Sequence, residues 1–345
     1  MISKQKQGPG RRRGRRVATW ASALLSAVIL VALGMRLDWA VLLSELEKVR
    51  WSYIPLLVLI TLATFWVRAL RWRHLLSNGN EVSRVSLFEA TLVGFTATFI
   101  LPLRVGEVVR PWVLSRWQPV RFSAGLASVV VERAFDALTL LVLLGVTIAQ
   151  LDSVPAIVSA GVKVVAALAV VIFVIMIAAY LGANQMVKLG EGMVTAVFGK
   201  KWPDFASRLV AMVEDFLTGL RGISSVRDLV WSVFWSVVLW GLFVGLYQVG
   251  LLGFGVEATM WVGVSVCVMI ALAVAAPGAP GFVGTFQLGC VVALALFGYP
   301  EEFGIAYSIV LHALQAITVV ACGFFILNRR GLNLSEIREK SRTAL

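Results

Sequence analysis

The chain has 345 residues, 59% of them hydrophobic and 14% charged, with a mean hydropathy of +0.87 and a formal net charge of +12. So apolar a composition excludes an ordinary soluble domain and predicts an integral membrane protein. The excess of Lys and Arg gathers in a few flanking segments, which points to topology control and anionic lipid, not to nucleic acid.

Residues 1–16 form a basic tail carrying Lys4, Lys6, Arg11, Arg12, Arg13, Arg15 and Arg16 and no acid. The apolar run Val17–Gly34 follows without a small-x-small cleavage site. It is read as an uncleaved first helix with its N-terminus in the cytoplasm. Six apolar segments in all are long enough to span, at roughly 17–34, 52–70, 124–150, 155–180, 229–252 and 303–327. Within the polar segment 181–228, residues 203–220 place Phe205, Leu209, Met212, Val213, Phe216, Leu217 and Leu220 at helical spacing. That stretch, opened by Pro203 and Asp204, predicts a helix lying in the headgroup plane. Residues 328–345 form a second basic tail, which leaves 17–327 as the membrane domain.

Two further regions, 86–118 and 260–297, are apolar but interrupted. The first contains LPLRVGEVVRPW from Leu101 to Trp112, and the second APGAPGFVGTFQ from Ala276 to Gln287. Lipid offers nothing to hydrogen-bond a freed backbone, so irregular backbone at membrane depth survives only inside protein or beside a wet cavity. A pair of such breaks in the two halves of a chain points to a transporter's binding site. Charge parity agrees. With the N-terminus inside, the loop bearing Arg71, Arg73 and Arg84, the segment 181–228 and the C-terminal tail fall inside, while the loops near Asp152, Glu257 and Glu301 fall outside. This holds only if each interrupted region returns to the side it entered from, either as a shallow re-entrant hairpin or as a pair of full crossings, and the Pro/Gly breaks favour the hairpin. The expected architecture is therefore all-α, with about six full spans and two Gly/Pro-broken re-entrant hairpins. The units 52–150 and 229–327 then form an inverted repeat.

The first hairpin and the next helix carry Arg104, Glu107, Arg110, Glu132, Arg133 and Asp136, three positive and three negative. Spacing of three puts Arg104, Glu107 and Arg110 successively on one helix face, and Glu132 and Asp136 are one turn apart. Left unpaired at mid-membrane, six such groups would cost on the order of 15–20 kcal/mol. They are read either as a structural ion-pair network or as a polar site in which arginine forks grip an anionic headgroup. Arg68, Arg71 and Arg73, flanked by Trp66 and Trp72, are read as snorkelling interface residues. In the second hairpin, Pro277, Gly278, Pro280, Gly281 and Gly284 cannot sustain one regular helix, and Thr285 and Gln287 follow with polar side chains. This turn is read either as close packing or as backbone that faces a ligand. His312 and Gln315 share a face of the last helix and are expected to hydrogen-bond between helices.

Cys267, Cys290 and Cys322 lie in apolar runs without metal or disulfide spacing, and His74 and His312 complete no catalytic or metal constellation. No cofactor, metal site or nucleotide loop is expected. Any uphill transport would use an ion gradient or a partner.

The motif order resembles the lysylphosphatidylglycerol synthase transmembrane-region family, also called flippase-like domain proteins. The matching pieces are VRALRWRHLL at Val67–Leu76, LPLRVGEVVRPWVL at Leu101–Leu114, VERAFDAL at Val131–Leu138 and PGAPGFVGTFQ at Pro277–Gln287. Arg104, Gly106, Glu107, Arg110, Glu132, Arg133 and Asp136 match the family pattern, whereas Gln287 stands where many members have Glu. The resemblance implies a lipid flippase. No synthase domain is recognised in the sequence, so the lysyl substrate is not expected to carry over. The leading expectation is a non-enzymatic, inner-membrane transporter of a lipid with an anionic headgroup, a phospholipid or a polyprenyl-phosphate-linked carrier. An integral membrane enzyme acting on lipid and a structural partner of an envelope-synthesis enzyme are the rivals.

Overall fold

The computed structural model describes residues 37–76, 81–101, 105–148, 225–275 and 279–331, with a few isolated positions. The predicted spans 17–34 and 155–180, the interfacial helix 203–220 and both tails lie outside the described residues. So do Arg104, Pro277 and Gly278.

All regular structure among the described residues is helical: α1 Trp39–Glu47, α2 Ile54–Leu75, α3 Arg84–Ile100, α4 Gly106–Trp117, α5 Phe122–Ile148, α6 Val226–Gly253, α7 Met260–Ala275, α8 Thr285–Ala295 and α9 Glu301–Arg329. Asp38 caps α1 by accepting from the Ala40 and Val41 N–H groups. Ser225 caps α6 by accepting from Asp228 N–H. Three helical stretches, Trp51–Leu75, Val226–Gly253 and Glu301–Arg329, are long and apolar enough to cross a membrane. The equally long α5 carries Glu132, Arg133 and Asp136 within its span.

The long helices α2 and α6 pack side by side and run antiparallel. At one end Arg50 N–H donates to Gly253 O at 2.7 Å; at the other, His74 Nδ1 lies 3.1 Å from Asp228 Oδ1. Exchanging α2–α5 for α6–α9 leaves the pattern of packed pairs unchanged. The pairs α2–α3, α3–α4, α4–α5, α5–α7 and α2–α9 have counterparts in α6–α7, α7–α8, α8–α9, α9–α3 and α6–α5. Each unit thus holds a broken helical hairpin between two long helices. The breaks share a pattern, P-x-x-V-G, at Pro102–Gly106 and Pro280–Gly284.

Glycine sets how closely each hairpin closes. A Cβ on Gly94 of α3 would lie 2.8 Å from Arg110 Cβ and 2.9 Å from Gly106 O of α4. In the second hairpin, a Cβ on Gly289 would lie 2.7 Å from Ile270 Cα and 2.9 Å from Met269 O. Both obstacles there are backbone and cannot rotate away. Gly289→Val is therefore expected to force α7 and α8 apart and to destabilise by about 1–3 kcal/mol, as overpacking does. A thermal melt in detergent matching the parent would refute that packing.

Two sets of buried side chains divide the interior. An apolar core of α6–α9 with α2 and α5 centres on Leu246, Leu251, Cys290, Leu294 and Tyr307. A second core of α2–α5 with the end of α9 surrounds Trp72, Leu75, Leu87 and Leu114. The sequence expectation is corrected here in one respect. α2 continues to Leu75, past the apolar run that ends near residue 70, so Arg68 and Arg71 stand inside the helix and are buried, and Trp72 is wholly buried. They are not snorkelling interface groups, because their neighbours on α5 are carboxylates. Trp66 remains exposed.

Candidate functional site

Glu132 is the hub of the charges. Its side chain is 0% exposed, and it accepts from Arg68 Nη1 at 2.9 Å, Arg110 Nη1 at 2.7 Å and Arg133 Nη2 at 3.0 Å, with Arg71 Nη2 at 3.2 Å. Asp136, one turn on, accepts from Arg71 Nη1 at 2.7 Å and pairs with Arg133 Nη2 at 3.1 Å. Arg71 Nη1 also donates to Ser236 Oγ of α6 at 3.1 Å. Glu107 lies at the edge, 3.7 Å from Arg133 Nη1. Four elements build this cluster: α2 supplies Arg68 and Arg71, α4 supplies Glu107 and Arg110, α5 supplies Glu132, Arg133 and Asp136, and α6 supplies a hydroxyl.

Of the six charged residues singled out in the sequence, Glu107, Arg110, Glu132, Arg133 and Asp136 come together, and Arg104 lies outside the described residues. Sequence reasoning missed Arg68 and Arg71 as members. Their spacing of three on α2 faces the Glu132–Asp136 spacing of four on α5, and that matched pair was the available signal. With them the described cluster has four guanidiniums and three carboxylates, an excess of cation where the sequence reading expected neutrality.

Arg110 is fixed by more than charge. Its guanidinium lies 3.7 Å above the Trp72 ring. Trp72 Nε1–H donates to Ser128 Oγ at 2.7 Å, and Ser128 donates to Gly125 O. The stack holds the plane of the guanidinium. One edge, Nη1, is spent on Glu132. The other, Nε and Nη2, is buried with no acceptor among the described residues, as are Arg71 Nε and Arg133 Nε. Buried N–H groups without acceptors are rare in folded proteins, so such a group marks a place for water or an anion. An arginine edge of two parallel N–H groups matches phosphate and carboxylate oxygens.

The second break stands against the first hairpin. Pro280–Phe282 forms a single 3-10 turn in which Gly281 has φ +68°, and Gly284 follows at φ +88°. These left-handed angles are open to glycine at little cost. A Cβ on Gly281 would lie 3.0 Å from the ring of Phe99 on α3, so the turn touches the end of the first hairpin. Gln287 Oε1 accepts from Gly284 N–H at 2.8 Å, and Gln287 Nε2 donates to His312 Nδ1 at 3.2 Å. His312 Nε2–H donates to Gly281 O at 2.7 Å. His312 therefore ties the last helix to the turn itself, under a stacked Phe286 ring at 4.4 Å. Gln315 bonds the Leu311 carbonyl of its own helix, not a neighbouring one. Thr285 Oγ1 likewise donates locally, to Phe282 O. Gly281, Gly284, Thr285 and Gln287 thus gather at one turn with Pro280.

A third polar contact closes the end of the molecule away from Gly253. Glu89 of α3 takes ion pairs from Arg329 at 2.6 Å and from Arg330 at the end of α9, and Arg330 lies over the Trp117 ring. No group of three His, Cys, Asp or Glu side chains that could hold a metal occurs among the described residues.

Residues 19–323 match the family described as the lysylphosphatidylglycerol synthase TM region. Among curated proteins, one named glycosyltransferase AglD from Haloferax volcanii is 26% identical over 333 residues, covering 89% of this chain and 53% of that protein. The chain spans about half the length of that relative. No solved structure matches it.

Proposed function

The chain belongs to the lysylphosphatidylglycerol synthase TM region family, and on that premise we propose that it is a flippase-like transporter that moves a lipid with an anionic headgroup across the membrane. The observation that carries this reading is the Nε–Nη2 edge of Arg110, unpartnered among the described residues and held buried beside a described network with more cation than anion. A phosphate satisfies both the charge and the idle donors, while acyl chains stay in lipid. Glu107, Arg110, Glu132, Arg133 and Asp136 form the headgroup site, with Arg104 as its sixth member and Arg68 and Arg71 added. Pro280, Gly281, Gly284, Thr285 and Gln287, with Pro277 and Gly278, make the facing turn.

The architecture proposed with it is an inverted repeat of units 52–150 and 229–327, each with a re-entrant hairpin, inside a membrane domain 17–327 of about six full spans. Two features support it. The hairpin arms have 17, 12, 16 and 11 residues, or about 25, 18, 24 and 17 Å of helix, all short of a hydrocarbon core of about 30 Å. The packed pairs also exchange between the two halves. In the proposed topology, both basic tails and the segment 181–228 face the cytoplasm of an inner-membrane protein, and α1 with its exposed Trp39 and Leu43 rests on the outer surface. A single cysteine at residue 190 in a Cys-free background is expected to resist a membrane-impermeant thiol reagent added outside. Labelling from outside would overturn the topology.

The name of that relative, a glycosyltransferase, favours a second reading, an integral membrane enzyme acting on lipid or a partner of an envelope-synthesis enzyme. Transport remains the better account of this site, because Glu132 and Asp136 are each spent as acceptors for two or more guanidiniums and stand poorly placed to move protons. The two are separated by reconstituting the purified protein in vesicles with fluorescent phosphatidylglycerol and following its access to an external quencher. Chemical turnover of lipid with no movement would refute the flippase reading. Mass spectrometry of copurified lipid names the headgroup.

A further inference from the structure

The three carboxylates of the cluster are held very unequally. Glu132 is wholly buried under four guanidiniums, and Asp136 bonds Arg71 at 2.7 Å. Glu107 is 43% exposed, and its one ion pair among the described residues, to Arg133 Nη1 at 3.7 Å, is too long for a hydrogen bond. Arg133 itself is 36% exposed. Its Nη2 is committed to Glu132 and Asp136, which leaves Nη1 toward Glu107 and Nε without an acceptor. The accessible side of the cluster is therefore one half-exposed arginine watched by one loosely held carboxylate.

Glu107 stands in the first turn of α4, immediately after the break in the first hairpin. Four residues on, Pro111 has no N–H to give the Glu107 carbonyl, so the helix at this point is one hydrogen bond short. Among the described residues the Glu107 side chain makes no hydrogen bond, so turning outward gives up only its 3.7 Å pair with Arg133. Behind it, Arg110 shares Glu132 with Arg133 and offers its unpartnered edge.

We propose that Glu107 is a built-in placeholder that occupies Arg133 when no lipid is bound and is displaced when a phosphate group engages Arg133 and Arg110. This rests on the reading of the cluster as a headgroup site. It adds a determinant of affinity: the protein carries its own competing anion, tethered at the mouth. In the empty site the half-exposed Arg133 then faces a carboxylate, and a phosphate must out-compete that carboxylate to enter. A headgroup whose anion is a weaker partner for arginine fails to displace it.

The test measures binding of dihexanoylphosphatidylglycerol and of inorganic phosphate to the full chain in detergent, by calorimetry. Glu107→Gln removes the competing charge and keeps the shape. It is expected to tighten both probes by about tenfold, and Glu107→Asp, with a shorter reach to Arg133, to tighten them less. Unchanged or weaker binding by Glu107→Gln overturns the placeholder. So does tightening for the lipid alone, since the competition is with the phosphate group itself. Arg110→Gln separates this from the underlying reading. If it abolishes binding while Glu107→Gln fails to tighten it, the site stands and the placeholder falls. If neither variant alters binding, the headgroup site falls with it. Because Glu107 is half exposed, its variants should melt as the parent does, and a melting curve on each confirms that binding is read on folded protein.

Discussion

Glu132→Gln is expected to be lost from the membrane or to melt far below the parent. Its carboxylate is wholly buried and serves Arg68, Arg71, Arg110 and Arg133 together. Removing one partner of a buried pair costs about 3–5 kcal/mol, because the remaining charge is stranded. Here four guanidiniums would be left with Asp136 and the distant Glu107. A loss of that size is a large fraction of a typical folding free energy of about 5–15 kcal/mol. The check is the amount of protein recovered from membranes and its thermal midpoint in detergent. Glu132→Asp, which keeps the charge, should be milder. Pairing Glu132→Gln with Arg68→Gln removes one charge of each sign and should restore part of the loss. A Glu132→Gln protein of parental stability would mean that the arginines find other acceptors.

The opposite pattern is expected for Arg110→Gln: stability largely kept and lipid movement lost. Glu132 still has Arg68, Arg71 and Arg133 when Arg110 goes. The variant loses the stacked fork and its idle edge. A hydrogen bond to a charged group is worth about 1.5–3 kcal/mol, which corresponds to about a 10- to 100-fold fall in lipid movement. Arg110→Lys separates charge from shape. Lysine keeps the positive charge but has neither the planar face for Trp72 nor two parallel donors. Its transport should stay near that of Arg110→Gln. Parental transport by Arg110→Lys would show that charge alone suffices and would remove the case for a fork.

Much of the site was legible because its chemistry is confined to short motifs. Glu107 with Arg110, and Glu132 with Asp136, sit at helical spacings where lipid would penalise lone charges, so their meeting could be foreseen. The breaks were legible because Pro and Gly interrupt apolar sequence at Leu101–Gly106 and Pro280–Gly284. Arg68 and Arg71 were misread for a definite reason. An apolar count ends the second span near residue 70, among the arginines, but a helix continues wherever a neighbouring helix supplies the counter-charge, and that neighbour is α5. Trp72 next to them looks like an interfacial tryptophan in sequence, and only the packing of Arg110 on its face assigns it another task. The contact of His312 with the Gly281 carbonyl was likewise invisible, since its partner is backbone. That contact also gives the departure at Gln287 a meaning. The amide donates to His312 and accepts from Gly284 at once, whereas a carboxylate cannot donate and would hold both neighbours only if His312 carried a second proton, on Nδ1, besides the one it gives to Gly281.

The layout of the charged cluster has a consequence for how the chain is made. Arg68, Arg71, Glu107, Arg110, Glu132, Arg133 and Asp136 all belong to the first 136 residues, and α6 adds only the Ser236 hydroxyl. During synthesis at about 5–20 residues per second, the carboxylates of α5 emerge within seconds of the arginines they must neutralise. The helices least welcome in lipid are thus one another's escorts, and α2, α4 and α5 can leave the insertion machinery as a charge-compensated group long before the C-terminal half exists. The apolar second unit needs no escort and can dock onto a partner already in place.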